Sequence, residues 1–108
     1  MRYPFTPFLE STPEALLRRF AEVCEELASC HRELAQILLA KEQGRSEAWM
    51  ASDSAVAISG RDRFASIAVT DLTVDEHKIK GEIRAFETER DFLLVVLNAR
   101  TAGSTIPD

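Results

Sequence analysis

The sequence predicts an all-α chain: a long antiparallel helical hairpin, coiled-coil-like, that packs into a dimeric four-helix arrangement. Three observations predict it. The four prolines are Pro4, Pro7, Pro13 and Pro107, so the long stretch between the last two lacks the residue that most strongly breaks helices. Apolar residues recur along that stretch at alternating steps of four and three, the period of a coiled-coil seam. A cluster of turn formers, Ser52-Asp53-Ser54, divides it near the middle.

Residues 1–12 are expected to form an extended apolar tail. Pro4 and Pro7 exclude helix interior, and Tyr3, Phe5, Phe8 and Leu9 make the segment apolar. Pro4-Phe5-Thr6-Pro7 has the PxxP spacing of a proline-recognition ligand. Three aromatics in a free tail are a liability, however, so docking of the tail onto its own domain or a second subunit is the favoured expectation.

A single hairpin domain is expected over 13–100. Helix 1 spans about 13–51, with Thr12 as N-cap and Pro13 as first helical residue. Ser11 with Glu14 also fits a capping box. Its seam is Leu16, Phe20, Val23, Leu27, Cys30, Leu34 and Ile37, and Gly44 is expected to fray or bend it. Trp49 is the large apolar cap at the hairpin end. Ser59 and Asp62 carry a second capping signature, which opens helix 2 at about 59. Helix 2 runs unbroken to about 98, on a seam of Ala65, Val69, Leu72, Glu76, Ile79, Ile83, Phe86, Arg90, Leu93 and Leu97. Gly81 lies inside it, either at a close helix approach or simply tolerated, at about 1 kcal/mol against Ala. Residues 101–108 read as a flexible C-terminal tail. With the turn near residue 55, residue x of helix 1 faces about residue 110 minus x of helix 2.

A two-helix hairpin buries one stripe per helix. The run Phe92–Leu97 is apolar on every side of its helix, so one partner helix cannot cover it. The N-terminal tail, a second copy or a different protein must cover it, and a homodimer is expected, with Phe5, Phe8, Leu16, Leu17, Ile83, Phe86, Phe92, Leu93, Val96 and Leu97 at the oligomer or partner interface. Two polar residues interrupt the helix 2 seam. Glu76 and Arg90 either snorkel at its edge or set register, pairing with each other or with helix 1 across a dimer.

Composition narrows the function classes. Lys and Arg total 13 against 18 Asp and Glu, a net charge of -5, which disfavours nonspecific nucleic-acid binding. The bases are dispersed among acids. Phe92–Leu97 is too short to span a bilayer, and Met1–Phe5 lacks a signal-peptide core, so a cytoplasmic location without membrane contact is expected. Cys24 and Cys30 stand about 240° apart on one helix and cannot bridge each other there; reduced thiols are the plain reading. His31 and His77 lie on different helices and, with Cys30, offer no metal set of fixed spacing. No catalytic constellation, phosphate loop or cofactor motif occurs, so neither enzyme activity nor a cofactor is expected.

Trp49, Ser59-Gly60-Arg61-Asp62-Arg63, Lys80-Gly81-Glu82-Ile83-Arg84-Ala85-Phe86 and Glu89-Arg90-Asp91-Phe92-Leu93 together resemble small uncharacterised helical proteins of actinobacteria and their phages. The resemblance covers residues 48–97. It implies coiled-coil architecture and a phage origin; action in the host cytoplasm on a host or virion protein is the expectation that goes with that origin. Trp49-Met50-Ala51 also resembles the Trp-x-Gly turn of hairpins exported by type VII secretion. Here Ala51 replaces the Gly, and the family's C-terminal Tyr signal is missing, since the one tyrosine is Tyr3. The expected function is thus a non-enzymatic, self-associating protein-interaction module. A secreted hairpin and a nucleic-acid accessory factor using Arg61 and Arg63 are the alternatives.

Overall fold

The computed structural model describes residues 11–53 and 57–105, with side chains through 101. The tail residues Phe5 and Phe8 lie outside the described residues. The described chain is all-α, with three helices: α1 (Pro13–Ala51), α2 (Ile58–Ala68) and α3 (Thr70–Thr105). Within the described residues, no helix is long and apolar enough to cross a membrane.

The start of α1 follows from its first residues. The Ala15 N–H donates to the Thr12 hydroxyl at 3.2 Å, and the Leu16 N–H to the Thr12 carbonyl at 3.0 Å. Thr12 is thus the cap, Pro13 needs no donor, and Glu14 places a negative charge in the first turn. The helix continues through Gly44 without interruption to Ala51. Its end is tied down at Trp49, whose carbonyl accepts the Ser52 N–H at 3.2 Å and the Ser52 hydroxyl at 2.6 Å.

Two expectations need correction here. The helix after the turn opens at Ile58, with Ala57 as cap and no capping side chain; Ser59 is already inside it. The Gly60 and Arg61 N–H groups both donate to the Ala57 carbonyl, at 2.9 and 3.0 Å, so backbone replaces the expected Ser59 cap. Nor does one helix run from 59 to 98. It breaks at Val69, where φ is -110° and ψ 20°, and α3 then continues to Thr105, past the expected end.

The physical reason lies in the local sequence. Val69, Thr70, Thr73 and Val74 are β-branched and lose rotamer freedom in a helix. The threonine hydroxyls also compete for backbone carbonyls. Thr70 donates to Ile67 O at 2.8 Å and Thr73 to Val69 O at 3.1 Å. Burial then holds the kinked residue. Val69 is buried, and its Cγ1 lies 3.0 Å from where a Cβ on Gly44 would stand. Gly44 is therefore the close-approach glycine, whereas nothing lies within 4 Å of a Cβ at Gly81.

Packing divides the chain into two units: Met1–Ser29 with Glu82–Asp108, and Cys30–Gly81. In the first, α1 and α3 pair in a hairpin-like arrangement around Leu16, Val23, Leu27, Ile83, Leu93 and Val96. Arg19 grips Glu89 with two hydrogen bonds, one of them 2.8 Å from Nη2 to Oε1. Arg100 donates to the Ser11 carbonyl. In the second unit, α1 pairs with α2 and the start of α3. Its buried side chains are Cys30, Ala48, Ala65, Val69, Ile79 and Glu76.

Both units keep the expected antiparallel register. Arg19 meets Glu89 and Arg100 meets Ser11 in the first; Trp49 meets Arg61 and Gly44 meets Val69 in the second.

Candidate interaction surface

The residues expected to form an interface divide into two groups. Leu16, Ile83, Leu93 and Val96 are buried against the chain's own helices, so they form the intrachain core. Phe86, Phe92 and Leu97 are half-buried. Leu17 is exposed, as are Leu94 and Val95, which the sequence reading left unassigned within the Phe92–Leu97 run.

The second unit behaves differently. Leu38, Leu39, Met50, Ile58, Phe64, Ile67 and Val74 are all exposed. Met50 is 80% exposed, Ile67 64% and Phe64 50%. Phe64 and Ile67 stand three residues apart on α2, with exposed Ala68 one step further, so they share one helical face. That face points away from Ala65 and Val69, the buried seam of the same segment. The signal was present in the sequence: the seam takes Ala65 and leaves the much larger Phe64 beside it off the seam.

Glu76 sits inside the second unit at 7% exposure. Its partners are cations of its own chain. Lys41 of α1 donates to Oε1 at 2.8 Å, and Lys80 one turn along α3 to Oε2 at 2.6 Å. The Lys41 hydrogen bond first, and the Lys80 bond second, hold the carboxyl at about 2, well below its ordinary 4.5. Arg90 bonds its chain neighbour Asp91 at 3.2 Å. The structure therefore does not bring Glu76 and Arg90 together within the chain. Within the chain Glu76 ties α3 to α1 through Lys41, a partner the seam pattern did not identify because lysine lies off the apolar stripe.

Trp49 stands near the end of α1, half-buried. The Arg61 guanidinium lies 4.7 Å from the centre of its ring. Arg61 also donates to Ser52 Oγ at 2.8 Å and to the Trp49 carbonyl at 3.1 Å. One arginine thus closes the turn from the α2 side by stacking and by hydrogen bonding.

In the first unit, the Arg19 charge is reinforced chiefly by its hydrogen bond to Glu89, which pushes its pKa further up. Glu22 adds a weaker contact at 3.3 Å. His31, His77 and Cys24 are exposed and Cys30 is buried. Among the described residues, no three His, Cys, Asp or Glu side chains stand together as a metal site. No known protein family matches the chain, and no curated protein or solved structure does so either.

Proposed function

We propose that this chain is a non-enzymatic protein-interaction module that self-associates as a homodimer, and that the second unit supplies the contact. One observation carries the reading. Among the described residues of 30–81, seven large apolar side chains stand exposed, Phe64 and Ile67 on one face of α2 among them, while three of the six buried side chains are the small Cys30, Ala48 and Ala65. Exposed apolar side chains grouped on one helix face are a recurrent mark of protein-contact surfaces. Burying several of them, at roughly 25 cal/mol per Å2, amounts to several kcal/mol of association drive. The net charge of -5 spread over 108 residues is small enough for two copies to meet at physiological salt.

The test is the solution mass by light scattering after size exclusion, at low micromolar concentration under reducing conditions. The expected mass is that of two chains. Replacing Phe64 and Ile67 together by Asp should return the mass to one chain with helicity by circular dichroism unchanged. A native chain that stays single up to tens of micromolar overturns the reading.

A further inference from the structure

A cavity of about 310 Å3 opens in the second unit where α2 breaks into α3, lined by Lys41, Arg45, Ser66, Val69, Thr70 and Thr73. That volume lies at the lower end of small-ligand pockets, about 300–1,000 Å3. Gly44 lets α1 come close to Val69 there. Lys41 and Arg45 stand on either side of Gly44 in α1, one helical turn apart, and both line the cavity. The end of α2 and the first turn of α3 supply three hydroxyl side chains. Thr70 and Thr73 donate to the carbonyls of Ile67 and Val69, so they wall the cavity. Among the described residues, Ser66 and Arg45 have no hydrogen-bond or ion-pair partner.

Charge gives the class of ligand. Glu76 shares its one negative charge between Lys41 and Lys80, at 2.8 and 2.6 Å. That trio keeps one positive charge in surplus, and Arg45 adds a second. Among the described residues, no carboxylate lines the cavity. Glu42 and Glu47 border a separate depression, and Asp62 lines another, which Arg45 and Trp49 share. Two positive charges beside a free hydroxyl match a phosphoryl group, which carries about -1.5 to -2 at pH 7. We propose that this cavity binds a phosphoryl group, as free phosphate or on a small phosphomonoester. Arg45 supplies a planar, two-pronged donor, and Ser66 supplies a hydroxyl donor. Lys41 supplies a charge whose position Glu76 already fixes, and its ammonium keeps donors to spare. The site uses neither Phe64 nor Ile67, so it stands independently of the proposed dimer.

The experiment titrates the isotope-labelled full chain with inorganic phosphate, phenyl phosphate and acetate, at neutral pH and constant ionic strength. Nuclear magnetic resonance follows the backbone amides and the arginine Nε–H groups. Both phosphates should give saturable shifts at Gly44, Ser66 and the Arg45 Nε–H, with a Kd below about 1 mM. Acetate should bind at least about fivefold more weakly, because it carries half the charge. Arg45→Gln, at an exposed position, should weaken phosphate binding at least about tenfold with helicity unchanged. Arg32→Gln, exposed on the same helix but away from the cavity, should leave it as it is. Equal constants for the two phosphates make the phosphoryl group alone the ligand, and tighter phenyl phosphate makes it a phosphomonoester; either result upholds the site. Three results overturn it: no saturable shift up to about 20 mM phosphate, acetate binding as tightly as phosphate, or native affinity in Arg45→Gln. None of these bears on the mass measured for the Phe64 and Ile67 variant, so the two proposals fail separately.

Discussion

The two units of this chain are held together by different means. Residues 1–29 with 82–108 bury leucine, isoleucine and valine: Leu16, Val23 and Leu93 are the largest fully buried side chains. Polar ties such as Arg19–Glu89 lie at the rim of that packing. Residues 30–81 bury alanine, cysteine and a carboxylate beside one valine and one isoleucine, Val69 and Ile79, and hold the helices with Lys41–Glu76–Lys80 and with Arg61 over Trp49. A core of large aliphatics supplies its own burial energy. A core of small residues lets helices approach closely but buries less apolar area per residue. The lesson is that the two units need different kinds of help, and a partner of the kind proposed above would serve the second more than the first.

The sharpest way to break this comparison is to delete packing in the first unit. Leu93 is 0% exposed, and Leu93→Ala should cost about 2–5 kcal/mol of unfolding free energy. The neighbouring Leu94→Ala, on the exposed side, should stay within about 0.5 kcal/mol. Urea titrations followed by circular dichroism separate the two, and equal costs would mean that the burial is not as described.

In the second unit the corresponding prediction concerns acid. The Glu76 carboxyl titrates at about 2 in the folded chain against 4.5 ordinarily. Its folded pKa is depressed, so its contribution to stability is fully present above 4.5 and is lost as the pH falls towards 2. Glu76→Gln should lower the melting temperature at pH 7. It should also remove part of the further decline that the native chain shows between pH 4.5 and 2. Parallel melting curves with an identical acid decline would count against the two lysine contacts.

The smallest effect comes from two glycines. At Gly81 an added methyl group meets nothing, so Gly81→Ala should stabilise by about 0.5–1 kcal/mol through helix propensity alone. At Gly44 the same methyl stands 3.0 Å from the buried Val69 side chain, which has to move. Gly44→Ala should therefore gain less than Gly81→Ala or lose outright. Thermal melts of the two variants, side by side, read the difference.

Much of the fold was legible because periodicity is a local signal. Leu16, Phe20, Val23, Leu27 and Cys30 alternate at steps of four and three, and all but the half-buried Phe20 are buried. The hairpin register followed from one turn position. The break at Val69 was missed because the seam spacing continues across it, while the β-branched run that weakens the helix there leaves no gap in the apolar pattern. The interaction surface was only partly legible. The Phe92–Leu97 run pointed to excess apolar surface, but a seam cannot tell which of those residues the chain's own helix will cover. Leu93 and Val96 are covered, whereas Leu94 and Val95 are not. The exposed Phe64 and Ile67 lie off the seam, and seam spacing carries no information about such positions. The contacts of Lys41 and Arg61 were not legible because the partner of a charged side chain is a fact of tertiary packing.

The two cysteines of α1 turn this architecture into a clock. Cys24 is exposed and Cys30 is buried, on the same uninterrupted helix. A thiol-reactive reagent therefore meets one site in the native chain at once. It reaches the other only in the brief moments when helix contacts around Cys30 part. The ratio of those two labelling rates counts local openings at the edge of the small-residue core, in a chain whose helicity by circular dichroism would show no change at all.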